Sequence, residues 1–301
     1  MSAIGIDLGG TKIEVQVFDN AWNISARNRI DTAGDYAALI KDVVGLIAWA
    51  DAQTSGDLPV GIGAAGLVHP DSGLVFAANL AASQKPFPED IARSAGRPIT
   101  YLNDCRALAL SEAIFGRGKD HHIVLALVLG TGIGGGIAVN GALLNGPTQT
   151  GGEFGHSAAP AHLIDQHNLP VWPCGCGRVG CIETYIAGPG LVRLAKHILG
   201  TDLTTPQIAA RCHKDTKPVW EVWCALTVEL LHTLTLTVDP NIIVLGGGLT
   251  QIDGILADLT KAAARTQFLG FAMPPIVLAE GGDTSGARGA AYAAWQAKDG
   301  A

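Results

Sequence analysis

The chain carries little charge, and positive charge is in the minority. Charged side chains make up 16% of its 301 residues, and 27 acidic residues outnumber 20 basic ones for a net charge of -7. A negative protein of this kind gives no electrostatic reason to expect nucleic acid or an anionic membrane as a partner. No uninterrupted apolar run reaches the roughly 18 residues of a membrane span, and residues 1 to 20 alternate like a strand pair rather than a signal peptide. The composition predicts a cytoplasmic protein that acts on a small molecule.

Cysteine is also scarce, and its distribution is uneven. Three of the six cysteines, Cys174, Cys176 and Cys181, lie close together and are separated by glycines that let the backbone fold tightly. With His156 they form a Cys3His set, which is typical of a closed tetrahedral zinc site. The alternative is buried or disulfide-paired cysteines, but Cys-x-Cys pairs bridge poorly and a reducing compartment disfavours disulfides.

Four protein ligands leave no open position on the metal, so the predicted zinc is structural rather than catalytic. Glu153 and Glu183 flank these ligands, and the metal does not need both of them in addition to the Cys3His set. They are candidates for holding a polar ligand, and the metal would fix the loop that presents them.

Glycine, by contrast, is abundant and marks two similar stretches. Residues 3 to 18 and residues 121 to 144 each read as a strand, a glycine turn and a second strand. Exposed N–H groups of such turns can hold phosphate, and two turns facing one cleft would hold a nucleotide from both sides. The length suits two α/β units, which we place at residues 1–117 and 118–301, with a C-terminal helix at about 286–298 that packs back onto the first unit.

The second glycine turn also matches the dinucleotide-binding pattern from Gly130 to Gly135. That pattern requires a helix directly after the glycines, whereas here Asn140-Gly141 predicts a β-hairpin. A Rossmann site is therefore disfavoured. The chain contains no G-x-x-x-x-G-K-[ST] sequence, which excludes a P-loop.

Asp104 follows a predicted strand at 98 to 102 and begins a predicted helix. Carboxyl ends of strands in α/β sheets face the ligand crevice, so this carboxylate is a candidate catalytic group. Asp is also a favoured helix cap, and its position alone leaves both interpretations open.

These motifs together resemble the ROK family of sugar kinases, whose fold is the two-lobed actin/hexokinase-type (ribonuclease H-like) α/β ATPase fold. The resemblance covers essentially the whole chain, and the cysteine motif with its upstream Gly-Glu-x-Gly-His is its specific part. The matching segments are Asp7-Leu8-Gly9-Gly10-Thr11-Lys12, Asn103-Asp104, Leu129-Gly130-Thr131-Gly132, Gly152-Glu153-Phe154-Gly155-His156, Cys174 to Glu183 and Gly246-Gly247-Gly248.

The resemblance implies roles for individual residues. Asp104 would be the general base on the sugar hydroxyl, and Asp7 would orient the ATP phosphates and their Mg²⁺. Other residues implied to bind the sugar are Asn79, Asn103, Glu153, His156 and Glu183. The remaining residues implied to bind ATP are Gly9, Gly10, Thr11, Lys12, Gly130, Thr131, Gly132 and Gly247. His156, Cys174, Cys176 and Cys181 would hold Zn²⁺. Where many members carry Ala-Asn after the base, this chain has Cys105-Arg106, for which we expect little effect.

The substrate is less well determined by these motifs. Residues 76 to 90 and Phe154 look more like bacterial N-acetylglucosamine kinases than other members, so N-acetyl-D-glucosamine is the expected sugar, with fructose, glucose and N-acetylmannosamine as alternatives. Some relatives are repressors, but those carry a DNA-binding segment ahead of the phosphate motif, which begins here at residue 7. A sugar sensor without catalysis is the second alternative, although Asp7 and Asp104 are both present. Dimers are usual among relatives, so a homodimer is expected.

Overall fold

The structure is a computed structural model that describes residues 2–54, 56–282 and 285–299. Its strands are β1 (Ala3–Leu8), β2 (Lys12–Phe18), β3 (Ile24–Asp31), β4 (Val60–Ala64), β5 (Leu67–Val68), β6 (Val75–Phe76), β7 (Thr100–Asn103), β8 (Ile123–Leu129), β9 (Ile133–Val139), β10 (Ala142–Leu143), β11 (Ile242–Gly246) and β12 (Ile276–Leu278). Its helices are α1 (Tyr36–Asp51), α2 (Phe87–Ala95), α3 (Asp104–Phe115), α4 (Ala161–Gln166), α5 (Glu183–Ile186), α6 (Gly188–Leu199), α7 (Thr205–Ala209), α8 (Lys217–Val238), α9 (Ile255–Ala263) and α10 (Ser285–Asp299).

The first sheet has the strand order β3-β2-β1-β4-β7. β1 and β2 are antiparallel, with Asp7 directly opposite Glu14, whereas β1, β4 and β7 run parallel. The apolar side chains of these strands and of α1 form a buried cluster on one face of the sheet. On the other face α10 approaches so closely that a Cβ at Gly5 would lie 1.9 Å from the carbonyl oxygen of Ala287. Glycine in β1 is therefore required by helix packing.

The second sheet has the order β10-β9-β8-β11-β12. β11 is parallel to both β8 and β12. β9 and β10 form a hairpin whose turn residues Asn140 and Gly141 have φ of 51° and 73°. The strand that follows the glycine turn confirms the sequence prediction and rules out the helix that a Rossmann site requires.

Contacts between residues divide the chain into two compact units. The first comprises residues 1–120, 136–152 and 280–301, and the second comprises residues 121–135 and 153–279. The sequence alone places residues 136–152 with the second unit, whereas contacts group them with the first. Within the first unit α10 packs against β1, β4 and α3.

Within the described ranges one helix, α8, is long and apolar enough to cross a membrane by length and composition alone. Half of the relevant stretch is buried inside the protein. Trp220, Trp223 and Leu226 are among its buried side chains. The core helix of a globular protein gives the same result.

Candidate active site

In the first unit, the turn between β1 and β2 carries the first group of predicted ATP-binding residues. The Gly9 N–H donates to the Lys12 carbonyl oxygen at 3.0 Å, which closes the turn. Gly10, Thr11 and Lys12 are exposed. Asp7 lies in β1 just before this turn, where its carboxylate oxygens are the hard ligands that Mg²⁺ prefers. These residues therefore fit the magnesium and phosphate chemistry expected of them.

Asn79, an exposed residue expected to bind sugar, lies beside this turn. A Cβ at Gly10 would be 3.1 Å from the Asn79 carbonyl oxygen and 3.2 Å from its Cβ, so the two backbones are in close contact. The segment that contains Asn79 is anchored by buried Leu80, Ala82 and Phe87. The structure thus brings Asn79 next to the predicted phosphate turn.

Asn103 and Asp104 stand where β7 ends and α3 begins. The N-cap is Asn103, whose side-chain oxygen accepts from the N–H groups of Cys105 and Arg106 at 2.9 and 3.4 Å. Its amide nitrogen donates to the Gly66 carbonyl oxygen at 3.1 Å. The cap that sequence reasoning considered for Asp104 therefore belongs to its neighbour, and Asp104 is the first residue of the helix.

The Asp104 carboxylate lies in a poorly solvated position. Burial raises its pKa, although the Cys105 N–H donates to Oδ1 at 2.9 Å and partly offsets that effect. A raised pKa makes a carboxylate a stronger base once it is ionised, which suits proton abstraction from a hydroxyl. The geometry places the predicted base at the carboxyl end of β7, as expected.

Arg106 has a larger structural role than sequence reasoning assigned to it. Its side chain is buried, and Nε donates to the Gly151 carbonyl oxygen at 3.0 Å. Nη1 donates to Gln149 Oε1 at 3.0 Å, and Nη2 donates to the Gln149 carbonyl oxygen. The expectation of little effect at this position is not supported, because Arg106 fixes the loop ahead of Gly152. Nothing in the local sequence indicates this contact, whose partners lie more than 40 positions away.

In the second unit, the turn between β8 and β9 carries the other predicted phosphate-binding residues. The Gly130 N–H donates to the Gly132 carbonyl oxygen at 3.1 Å, and Gly188 N–H donates to the Gly130 carbonyl oxygen at 2.8 Å. Thr131 and Gly132 are exposed. The turn is therefore closed by its own backbone and held by the start of α6.

Gly247 follows β11 in the same unit and has a φ of 91°, which favours glycine. A Cβ there would lie 2.4 Å from the Leu129 carbonyl oxygen. Backbone packing alone thus requires glycine at this position, and its approach to adenosine remains a prediction.

The structure brings together the four predicted zinc ligands. One donor atom from each of His156, Cys174, Cys176 and Cys181 lies within 4.8 Å of all the others. The sulfurs of Cys176 and Cys181 are 3.7 Å apart, and a tetrahedral zinc with bonds of about 2.3 Å separates two sulfurs by about 3.8 Å. Positive φ at Gly177 and Gly180 (87° and 69°) lets the loop turn back. The donor set and its spacing therefore fit a structural zinc.

The thiols themselves would have to lose their protons to bind a metal. Burial raises the pKa of Cys181 to about 12, whereas the N–H of Arg178 lowers that of Cys176. Binding of zinc displaces such protons and is therefore coupled to pH.

His156 presents its two ring nitrogens to different neighbours. Nδ1 is 3.6 Å from Cys174 Sγ, and Nε2 is 3.7 Å from the Glu153 carboxylate. A metal on Nδ1 would leave Nε2 protonated and able to donate, an arrangement common around zinc-bound histidines. Glu183 is placed differently, because its Oε2 accepts from the Ile133 N–H at 2.8 Å.

The family model described as "ROK family" matches residues 3–297. The chain belongs to the ROK family. It is 39% identical to an N-acetylgalactosamine kinase (AgaK) from Shewanella sp. (strain ANA-3), covering 95% of this chain and 94% of that protein. It is 36% identical to the N-acetyl-D-glucosamine kinase of Escherichia coli O9:H4 (strain HS), covering 96% and 97% respectively.

Solved structures give the same fold. The ROK hexokinase from Thermus thermophilus has a TM-score of 0.88 at 27% identity, covering all of both chains. A ROK glucokinase from Streptomyces griseus, solved with glucose and AMPPNP, has a TM-score of 0.78 at 27% identity, covering 98% of this chain and all of that one. This ROK protein is an ATP-dependent sugar kinase with the hexokinase-type α/β fold, as the motifs predicted.

Proposed function

We propose that this ROK kinase transfers the γ-phosphate of ATP to the 6-hydroxyl of an N-acetylhexosamine, with N-acetyl-D-glucosamine as its first substrate. The assignment of an N-acetylhexosamine as substrate rests on two relatives, both named for N-acetylhexosamines, that match nearly the whole chain. N-acetylgalactosamine was not among the sugars considered from sequence, and the 39% identical relative makes it the second candidate.

The proposed chemistry assigns one task to each group. Asp104 accepts the proton of the sugar 6-hydroxyl. The 6-oxygen of the sugar then bonds to the γ-phosphorus of ATP, and ADP leaves with the electrons of the broken P–O bond. The turns at residues 9–12 and 130–132 supply N–H donors to the phosphates, and Asp7 orients the Mg²⁺ that accompanies ATP. Asn79, Asn103, Glu153, His156 and Glu183 are the proposed contacts of the sugar.

Zinc belongs to this proposal as a structural ion bound by His156 and the three clustered cysteines. When bound, it would fix the loop that carries Glu153 and Glu183 without taking part in phosphate transfer. A cytoplasmic location and a homodimer also remain proposals, and sedimentation of the purified protein tests the dimer.

The test of the function is identification of the product. Purified protein is incubated with ATP, Mg²⁺ and N-acetylglucosamine or N-acetylgalactosamine, and phosphorus NMR locates the phosphate. Phosphate on the 6-oxygen with stoichiometric ADP supports the proposal. Sugar binding without ADP release from any sugar would instead indicate a sensor.

A further inference from the structure

Glu183 is the first residue of α5, two positions after Cys181, and its carboxylate contacts two parts of the second unit. Oε2 accepts the 2.8 Å hydrogen bond from the N–H of Ile133, which directly follows the Gly130–Gly132 turn. Oε1 lies 3.9 Å from Cys174 Sγ in the Cys/His cluster. One carboxylate therefore lies between the cluster and the turn.

The packing around Glu183 is close at two glycines, Gly132 on the turn and Gly155 beside it. A Cβ at Gly132 would lie 3.0 Å from Glu183 Oε2. A Cβ at Gly155 would lie 2.4 Å from the Ile133 carbonyl oxygen and 3.2 Å from Glu183 Cβ. Glycine at these two positions thus lets Glu183 approach the start of β9 closely.

The other end of the turn contacts the same short stretch of chain. Gly188, five positions after Glu183, donates its N–H to the Gly130 carbonyl oxygen at 2.8 Å. Residues 183 to 188 thus contact both ends of the Gly130–Gly132 turn. The loop with Cys174, Cys176 and Cys181 precedes this stretch directly in the sequence.

We propose that Glu183 is a positioning residue for the nucleotide turn, through which the state of the Cys/His cluster controls ATP affinity. Preorganised N–H donors bind an anion well only when the backbone that presents them is fixed. The hydrogen bonds of Glu183 to Ile133 and of Gly188 to Gly130 fix the backbone of the turn between Gly130 and Ile133. The inference rests on the proposed function, since it takes the turn as a phosphate site and the cluster as a zinc site.

The first experiment measures ADP affinity by calorimetry without sugar, so that a sugar contact of Glu183 cannot contribute. Glu183→Ala is expected to weaken ADP binding about tenfold. Glu183→Gln retains an oxygen that accepts from the Ile133 N–H, and its ADP affinity should stay within about twofold of wild type. Glu153→Ala is the matched control, because Glu153 faces His156 Nε2; it should lose sugar affinity but keep ADP affinity. Unchanged ADP binding in Glu183→Ala would overturn the proposal.

The second experiment asks whether the cluster acts through Glu183. Removing zinc from wild type with a chelator, monitored by mass spectrometry, should weaken ADP binding, whereas in Glu183→Ala the same removal should add little. If zinc removal and Glu183→Ala weaken ADP binding by free energies that simply add, the coupling is overturned, because interacting sites show non-additive effects. If Glu183→Ala does not fold, Glu183→Asp, whose shorter side chain withdraws the carboxylate from the Ile133 N–H, should weaken ADP binding while zinc is retained; unchanged ADP binding in that variant would overturn the proposal.

These measurements separate the inference from the function on which it rests. Wild-type protein that binds no ADP would contradict the kinase assignment. Wild-type protein that phosphorylates an N-acetylhexosamine, together with a Glu183→Ala variant of normal ADP affinity, would contradict only the positioning role.

Discussion

Two adjacent residues at the start of α3, Asn103 and Asp104, differ in what their side chains contact. Asn103 uses its side-chain oxygen for the exposed N–H groups of the helix, and its amide nitrogen donates to the Gly66 carbonyl oxygen. Asn103 is therefore the N-cap, and the carboxylate of Asp104 is poorly solvated and has a raised pKa. Burial raises the pKa of this carboxylate, whereas its place at the helix N-terminus favours the ionised form, so the two effects act in opposite directions.

Replacing Asp104 with Asn should separate catalysis from stability. The variant lacks the base, and kcat should fall by a factor of about 10² to 10⁴. Because burial raises the pKa of Asp104, the folded protein binds a proton more tightly than the unfolded chain, so ionisation costs stability as pH rises through that pKa. The neutral Asn side chain avoids this cost, and the variant should unfold at the same or a higher temperature at neutral pH.

The measurements are kcat by ADP release and the thermal unfolding midpoint between pH 4 and pH 8. Asp71→Asn, at an exposed loop position, is the control and should change neither. An Asp104→Asn variant with near-normal kcat would remove Asp104 from the role of base.

Among the helices and strands, sequence patterns predicted those features that depend on interactions between residues close in the chain. Strand alternation predicted β1 and β2, and Asn140-Gly141 predicted the hairpin after the second glycine turn. Long-range contacts have no such pattern. Glu112 occupies an ordinary helix position in the sequence but is fully buried, and its hydrogen-bond partners include residues 168 to 173 positions away.

Glu112→Ala should destabilise the first unit strongly. Its carboxylate accepts from the N–H groups of Arg117, Glu280 and Gly281 and from the hydroxyl of Ser285, at 2.9 to 3.2 Å. The alanine variant leaves these donors without their acceptor, and each buried unsatisfied donor costs about 1 to 3 kcal/mol. We expect a loss of roughly 3 kcal/mol or more in the free energy of unfolding, measured with urea.

The matched control for that variant is Glu89→Ala. Glu89 also lies on a helix and pairs with Arg93, but 70% of its side chain is exposed. Exposed ion pairs of this kind contribute about 1 kcal/mol or less. Equal losses in the two variants would show that the buried Glu112 carboxylate does not stabilise the contact of α3 with Glu280, Gly281 and Ser285.

The cysteine loop gives a second prediction at this scale. Cys181→Ser should lose zinc and lower the unfolding temperature, because the loop between Cys174 and Cys181 has little regular structure and its donors fit one metal centre. Metal analysis by mass spectrometry and thermal unfolding check both effects. Cys212→Ser, at a buried cysteine outside the cluster, should retain the metal. Wild-type protein purified without chelator that contains no zinc would contradict the structural-zinc proposal.

At the scale of the molecule, family membership could be predicted from the sequence because its motifs are short, specific and spread over the chain. Asp104 and Asp7 lie in one compact unit, and the cysteine loop, the second glycine turn and Gly247 lie in the other. The substrate could not be fixed in this way. N-acetylglucosamine and N-acetylgalactosamine differ only in the orientation of the 4-hydroxyl, and such a difference is recognised by the placement of single polar atoms. Motifs shared by kinases of both sugars carry no information about that placement.

ADP release with five sugars tests the substrate assignment, namely N-acetylglucosamine, N-acetylgalactosamine, N-acetylmannosamine, glucose and fructose. A site built to hydrogen-bond an acetamido group leaves its polar partners unsatisfied when glucose binds, so kcat/KM for N-acetylglucosamine should exceed that for glucose by at least about 10². The assay is ADP release at equal sugar concentrations below saturation, with Asp104→Asn as the blank. N-acetylgalactosamine ahead of N-acetylglucosamine would transfer the assignment to the other acetamido sugar. Glucose or fructose ahead of both would show that no acetamido partner is present, and would overturn the N-acetylhexosamine proposal while leaving the sugar kinase intact.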